Sequence, residues 1–338
     1  MQRKPETPTI TTVARLANVS VASASRALNG IKTHPETLAR VTAAAEAVGY
    51  VPNAAARSLR SRRTGQVAFA MPDVANPVYT SMVGSIQQVM QEQGRRLLLH
   101  STGADSADEL SLLEDLRQRY VDGLILASLD FTPAHVEAVK NAAVPVTLIG
   151  RAPKEADIDT VRANSRRGAA EAVRHLHSLG RRRIALLNGP ESTVSGSSRR
   201  QGYLDALRSC GLERDDSLIE VASDFMLGPG REGAERLLAR TRPDAIFCAN
   251  DLLALGTLAV LREAGLEVPR EVAVVGMDDT SLAAVSWPPL TSVDLGSHER
   301  ARLAAELLLK RIERPGRRAL SVGVEPRLVI RESCGAAQ

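Results

Sequence analysis

The sequence predicts a small all-α head followed by a larger α/β body, on three observations. The chain has 338 residues, enough for two or three domains. Residues 1–63 carry ten lysines and arginines against three glutamates, a net charge of +7, whereas the remainder has a net charge of −3. From residue 66 onward, strand-like apolar runs alternate with amphipathic helical segments. Because 44% of the residues are apolar, wholesale disorder is excluded.

Three short helices are predicted in the head. Apolar residues recur at helical spacing in residues 12–18 (TVARLAN), and residues 21–28 (VASASRAL) continue the pattern after a short turn. Asn29-Gly30 ends this second helix, and Pro35 begins a third helix that runs to Gly49. Two short helices joined by a tight turn on a basic unit indicate a helix-turn-helix.

In a helix-turn-helix the second helix lies in the major groove of DNA, where base edges carry distinct donor and acceptor patterns. The residues predicted to face outward from it are Val21, Ala22, Ser23, Ser25 and Arg26. Arg26 can fork onto a guanine, whereas Val21 and Ala22 offer only methyl contacts. The alternative interpretation is a three-helix interaction domain whose arginines are solvated.

Residues 53–60 predict a helix of under two turns in which Leu59 is the one large apolar residue. Such a helix is marginal by itself because nucleation is costly and little surface packs. The polar run SRRTG follows as a linker. The predicted organisation is therefore a DNA-binding head at 1–52, a hinge helix and linker at 53–65, and a body at 66–338.

The body is predicted to contain buried strands joined by helices, in right-handed βαβ units with parallel sheets. The predicted strands are residues 67–71, 96–100, 123–127, 145–149, 183–187, 218–222, 245–249 and 272–276. Because this is long for one sheet, we expect two α/β lobes with a cleft between them.

The sequence argues against several classes of protein. No run approaches the length of a membrane span, and the N-terminus lacks a secretory apolar run, so we expect a cytoplasmic protein. Three cysteines lie far apart without CxxC pairs, and the histidines form no ligand pattern, so neither a metal site nor a cofactor is predicted. GPGREG (228–233) fits a dinucleotide fingerprint, but no strand leads directly into its first glycine. No catalytic residue is predicted.

The sequence closely resembles the lactose/galactose repressor (LacI/GalR) family over nearly its whole length. The motifs that carry the resemblance are TITTVARLANVSVASASRALNG, HPETLARVTAAAEAVGYVPNAAARSLRSRRTG, MPDVANPVYTSMVGSI, YVDGLILAS, LIGR, CANDLLALG and VVGMDD. The resemblance implies a homodimeric, effector-controlled transcription regulator. Its body is expected to resemble the two-lobed periplasmic sugar-binding proteins of type I.

The resemblance also implies roles for single residues of the head and hinge. Val21 and Ala22 match the pair that selects the operator, and Arg26 matches an arginine that contacts bases. Phosphate and base contacts are expected from Ser20, Ser23, Ser25 and Asn29. Leu59, with Ala56 beside it, matches the hinge leucine that enters the minor groove and wedges a base step. Thr11, Thr12 and His34 depart from the family pattern and leave the operator sequence open.

In the body, three aromatic residues fall at family pocket positions: Tyr79, Phe225 and Trp287. Sugar rings stack on such faces, although core packing is the alternative explanation. The polar effector-binding candidates are Ser195, Arg199, Asn250 and Asp278. Asn250 and Asp278 follow predicted strands at their carboxyl ends, where α/β folds bind ligands.

The function expected from these features is sequence-specific DNA binding by a repressor of carbohydrate-related genes. Its predicted partners are a pseudo-palindromic operator, a small sugar-like effector and a second copy of the chain. No further basic residue falls at a recognised pocket position, which leaves a sugar acid or a phosphorylated sugar without support. The alternatives are a ligand-binding sensor without operator specificity and, less favoured, a dinucleotide-dependent enzyme.

Overall fold

The computed structural model describes residues 8–51, 63–103 and 105–336. The chain divides into two compact units, residues 1–64 and 65–338, which form the head and the body. None of the helices in the described ranges has the length and apolarity needed to span a bilayer. The three cysteines are free thiols.

Residues 8–51 of the head form three helices: α1 (Ile10–Leu16), α2 (Val21–Leu28) and α3 (Pro35–Ala47). The side chains of Thr9 and Ser20 cap α1 and α2 by accepting backbone N–H groups of the first turn. Because Thr9 supplies this cap, α1 begins two residues before its predicted start. His34 occupies the cap position of α3 and makes no such bond.

The head core is built from small side chains of all three helices, among them Val13, Ala24 and Val41. Leu16, which shares the helical spacing of the core residues of α1, is instead 53% exposed. Arg40 of α3 holds the turn between α1 and α2, since its guanidinium donates to the carbonyls of Ala17 and Asn18. This contact fixes the angle between the two helices of the helix-turn-helix.

The body contains two six-stranded sheets, one per lobe. The sheet of the N-terminal lobe consists of β1 (Gln66–Met71), β2 (Arg96–Ser101), β3 (Leu124–Ala127), β4 (Val146–Ile149), β5 (Asp159–Ala163) and β11 (Ser321–Val324). Its strands are all parallel, in the order β11-β5-β4-β3-β1-β2.

The sheet of the C-terminal lobe consists of β6 (Ile184–Asn188), β7 (Ile219–Val221), β8 (Ala245–Cys248), β9 (Ala273–Met277), β10 (Thr291–Asp294) and β12 (Arg327–Val329). The order is β12-β10-β9-β8-β6-β7. Only β12 pairs antiparallel, against β10, and the other pairs are parallel. Both sheets are covered on two faces, so each lobe has two apolar cores.

The helices of the body are α4 (Pro77–Glu92), α5 (Ser106–Asp115), α6 (Pro133–Lys140), α7 (Ser165–Ser178), α8 (Val194–Ser209), α9 (Leu227–Arg240), α10 (Asp251–Glu263), α11 (Ser281–Val285) and α12 (Ser297–Glu313). Short 3₁₀ turns occur at Leu116–Gln118, Lys154–Ala156, Asp216–Leu218 and Glu332–Cys334. The chain passes between the lobes after β5, after β10 and after β11, so that α12 packs in the N-terminal lobe.

All eight predicted strands are present, and the two-lobed architecture is confirmed. The expectation that every one of them is buried was wrong for β2 and β7, because each lies at a sheet edge, where Leu99 is 51% and Val221 40% exposed. Four strands were not predicted: β5, β10, β11 and β12. They are three to five residues long and include polar residues, charged residues or glycine, so they form no apolar run from which a strand could be predicted.

Candidate functional site

The first candidate surface is the exposed side of α2. Val21, Ala22 and Arg26 are exposed, as the sequence predicts. Arg26 Nη2 lies 3.5 Å from Ser23 Oγ, which is itself 2.9 Å from the capping hydroxyl of Ser20. The guanidinium thus lies next to a chain of two hydroxyl groups at the start of the helix, the part of a recognition helix that contacts bases in helix-turn-helix proteins.

Ser25 does not share this surface, and the expectation that it faces outward was wrong. It is 5% exposed because it lies beside Ala24 on the inward side of α2. Asn29, at the end of the helix, donates through Nδ2 to the Ser25 carbonyl at 2.7 Å. Ser25 therefore supports the helix end, while Asn29 is exposed. The predicted hinge residues Ala56 and Leu59 lie outside the described residues.

The second candidate site is a cavity of about 580 Å³ between the two lobes of the body. It opens at the carboxyl ends of the strands in both sheets, where parallel α/β folds bind ligands. Six of the seven predicted effector-binding residues line it: Tyr79, Ser195, Arg199, Phe225, Asn250 and Asp278.

Trp287 is the exception, and its assignment to the pocket is corrected. It is 82% exposed and does not line the cavity. The chain turns outward after α11, where the Ser286 hydroxyl donates to the carbonyls of Ala283 and Pro288. This turn carries the indole to the surface of the C-terminal lobe, next to the exposed Val285.

Arg199, on α8, is the central donor of the cavity. It is 7% exposed, and its Nη1 donates to the Ala249 carbonyl at 2.8 Å. Its Nη2 lies 3.5 Å from Asp278 Oδ1, and its Cζ lies 5.4 Å from the centroid of the Phe225 ring. Arg199 Nε is buried without a hydrogen-bond partner among the described residues.

Asp278 follows β9 in a backbone conformation that few non-glycine residues adopt. Its φ is +105°, and that of Asp279 is +48°. Burial raises the pKa of Asp278, while the charges of Arg199 and Arg300 lower it. Its carboxylate can accept hydrogen bonds from ligand hydroxyl groups, and the unusual backbone turns it into the cavity.

Asp251, the first residue of α10, holds this backbone in place, a role that no sequence pattern revealed. One of its carboxylate oxygens accepts the backbone N–H and the hydroxyl of Thr280, at 2.7 and 2.9 Å. The other accepts the hydroxyl of Ser292, whose oxygen in turn accepts the Asp279 N–H. Burial, with a further contribution from the charge of Asp278, raises the pKa of Asp251 to about 7.

Asn250 lines the cavity, but its amide is committed to local structure. Its Oδ1 accepts the Leu253 N–H and so caps α10, and its Nδ2 donates to the Phe225 carbonyl at 2.8 Å. Asn250 therefore fixes the segment that carries the Phe225 ring. Ser195 is half-buried in the first turn of α8, on the same side of the cavity.

The charged residues of the N-terminal lobe that line the cavity include Glu109 and Arg300, which the sequence did not indicate. Glu109 Oε2 lies 3.1 Å from His135 Nε2, and both side chains are buried. The Thr132 N–H donates to His135 Nδ1, whereas His135 Nε2 and Glu109 Oε2 have no hydrogen-bond partner among the described residues. Burial also raises the pKa of the Tyr79 phenol beside them.

The GPGREG motif lies within the first turns of α9 rather than in a loop that follows a strand. A Cβ on Gly230 would approach Leu253 Cα to 2.6 Å, and one on Gly256 would approach Leu227 O equally closely. These glycines let α9 and α10 pack together, so the dinucleotide interpretation is wrong. No cluster of three or more potential metal-ligating side chains occurs in the part of the chain that the structure describes.

Comparison with known proteins agrees with this arrangement. Residues 9–53 match bacterial regulatory proteins of the lacI family, and residues 173–334 match the periplasmic binding protein-like domain. The transcriptional regulator CelR of Thermobifida fusca is 36% identical over 96% of this chain and 98% of its own. The ribose operon repressor of Escherichia coli K12 is 33% identical over 96% and 99%, respectively.

Solved structures show the same likeness. The complex of CelR with cellobiose superposes with a TM-score of 0.74 at 34% identity, covering 96% of this chain and 99% of that one. The Lac repressor dimer bound to operator and an anti-inducer gives a TM-score of 0.87 over 98% of this chain and all of that one. At 24% identity, this second match supports the fold alone.

A helix-turn-helix head joined to a two-lobed body with a polar cleft defines a transcription regulator that responds to a small molecule. This chain belongs to the LacI family of bacterial regulatory proteins.

Proposed function

We propose that the protein is a homodimeric repressor of carbohydrate-related genes, controlled by a small sugar-like effector in the cleft. The observation that carries the proposal is the buried pair of Arg199 and Asp278, with the Phe225 ring beside it. A guanidinium, a carboxylate and an aromatic face supply donors, acceptors and a stacking surface, which together fit a polyhydroxylated ring. The cellobiose seen in CelR and the name of the ribose operon repressor support the same class of ligand.

Operator recognition rests on α2 of two copies of the chain. One helix reads too few base pairs to select a genomic site, whereas paired heads read a pseudo-palindrome. Exposed apolar side chains on the body supply surface for pairing, at Leu98 and Leu99 on the edge strand β2 and at Val285 and Trp287. The hinge residues Ala56 and Leu59 are proposed to enter the minor groove.

Effector binding is proposed to change lobe closure and thereby operator affinity. The cavity residues come from both lobes, so a ligand that contacts both favours a closed arrangement. The coupling is reciprocal: an inducer that weakens operator binding is itself bound less tightly on DNA. A corepressor would use the same residues with the opposite sign. We place the protein in the cytoplasm, with its DNA, and assign it no enzymatic activity.

The test is selection of fragments of the source genome by the purified full chain, repeated at several salt concentrations. Recovery of one pseudo-palindromic sequence is the expected result. Binding that depends on salt but not on sequence, both without a ligand and with candidate sugars added, would overturn the regulator assignment and favour the sensor without operator specificity, because phosphate contacts alone carry no sequence information.

A further inference from the structure

Arg300, in the first turn of α12, brings a guanidinium into the cavity from the lobe opposite Arg199. Arg151 and Arg162 also line the cavity. Arg300 Nε donates to the Leu295 carbonyl at 3.0 Å. Among the described residues, no carboxylate oxygen lies within the 4.0 Å of an ion pair with this guanidinium. The two terminal nitrogens of Arg300 are thus available to a ligand.

Arg300 has no carboxylate of its own within ion-pair distance among the described residues. Two carboxylates act on it electrostatically, those of Asp278 and Asp294. Each lies nearer to another guanidinium: Asp278 is 3.5 Å from Arg199, and Asp294 is 3.6 Å from Arg327. The guanidinium of Arg300 therefore lines the cavity without an ion-pair partner in the described part of the chain.

The unpaired charge of Arg300 is costly because the side chain is partly buried. Desolvation lowers the pKa of Arg300, although an arginine still remains charged at neutral pH. A partly buried charge without a counterion is unfavourable, so a ligand that supplies the counterion is stabilised at this position. Arg300 therefore favours a negatively charged group on the ligand.

We propose that the effector is a sugar acid whose carboxylate pairs with Arg300 while its hydroxyl groups meet Arg199 and Asp278. This inference rests on the proposed function of the cleft as the effector site. A carboxylate is planar, matches the guanidinium fork and cancels one charge. A phosphate dianion would bring a second negative charge towards Asp278 and Asp294, the two carboxylates that act on Arg300, and would be repelled by them.

The test compares pairs of ligands that differ in one carboxylate: D-glucuronate with D-glucose, D-gluconate with D-glucitol, and cellobionate with cellobiose. Calorimetric titration of the full chain would measure each affinity, for the original protein and for Arg300→Gln. In at least one pair, the acid is expected to bind about 10- to 100-fold more tightly, the range of a hydrogen-bonded charge. Arg300→Gln should abolish that preference, and Arg300→Lys should retain part of it.

Arg302→Gln is the matched control, because Arg302 lies on the same helix, is half-exposed and pairs with Glu306 away from the cavity. Its acid preference should equal that of the original protein. Unchanged melting temperature and operator affinity would show that Arg300→Gln remains folded. If Arg300→Gln were misfolded, the acid preference of Arg300→Lys would be compared with that of the original protein instead.

Three results would overturn the proposal: neutral sugars that bind as tightly as their acids, an acid preference that survives Arg300→Gln, or a stronger Arg300-dependent response to glucose 6-phosphate. Release of a selected operator by a neutral sugar and by none of the acids would refute the sugar acid and leave the proposed regulator standing. Failure to select any operator, both without and with the sugars and acids added, would refute the regulator, while the comparison of acids with neutral sugars would still report on the cleft.

Discussion

Arg199 and Asp278 face each other at 3.5 Å, and each side chain is more than nine-tenths buried. Their pairing lets two charges remain in the cavity without a ligand. It also makes them interdependent, because removing one partner leaves the other buried and unpaired. Effector recognition and stability of the C-terminal lobe are therefore linked at this pair.

Asp278→Asn should weaken effector binding while operator binding persists. Asparagine tolerates the left-handed backbone at this position, so the change removes charge with little added strain. We expect a loss of about 1.5–3 kcal/mol in effector binding, the range for hydrogen bonds to charged groups. Titration of operator release with an effector from the ligand comparison measures it. An unaltered response would move the effector site away from Asp278.

Arg26→Ala should relax operator specificity. Arg26 is an exposed side chain of α2 that can fork onto a guanine, and its loss should cost about 1–3 kcal/mol at that base pair. Repeating the fragment selection with the variant measures the preference at each position. Arg15→Ala, which removes an exposed arginine from α1, is the control and should leave the selected sequence unchanged. If Arg26→Ala selected the original sequence with equal strength, the base-contact role would be refuted.

Asp251→Asn should alter the pH dependence of stability. The pKa of Asp251 is about 7 in the folded protein, above the value of 3.8 that it would have when exposed. The folded state then binds a proton more tightly than the unfolded state, so this group's stabilising contribution is lost as pH rises from about 4 through about 7. Melting temperatures measured across this range should fall more steeply for the original protein than for Asp251→Asn.

Ser292→Ala distinguishes the role of Asp251 in positioning the backbone at Asp279 from the titration of the Asp251 carboxyl group. It removes the hydroxyl that relays Asp251 to the Asp279 N–H but keeps the carboxylate. We expect weaker effector binding with the pH dependence of stability retained. Parallel pH profiles for the original protein and Asp251→Asn would contradict the assignment of this titration to Asp251.

Gly202→Ala should destabilise the body by about 1–3 kcal/mol, the usual range for overpacking. A Cβ at this position on α8 would lie 2.1 Å from the Arg166 carbonyl oxygen of α7, so the two helices would have to separate. Gly84→Ala, inside α4 with no atom within 4 Å of the added carbon, is the control. It should instead stabilise by about 0.5–1 kcal/mol through helix propensity. Thermal unfolding measures the melting temperatures of both variants. Equal melting temperatures for Gly202→Ala and Gly84→Ala would disprove the packing argument.

The alternation of apolar runs predicted the two-lobed body because parallel strands covered on both faces are nearly continuous apolar segments. Periodicity could not reveal β11 or β12, since their pairing depends on the chain returning to each sheet from far along the sequence. The same holds for the cleft: motifs located Arg199 and Asp278, whereas Arg300 enters from a helix without a pocket motif. Trp287 was misplaced because sequence position does not show which way a turn points a side chain.

The three passages of the chain between the lobes also bear on how the protein is made. The N-terminal lobe contains β11 and the helix α12, so its sheet is incomplete until residue 324 has been added. When only the first half of the chain has left the ribosome, neither lobe has all of its strands. The body therefore completes its folding near the end of synthesis, and a nascent chain that stops early lacks both the finished cleft and its Arg300.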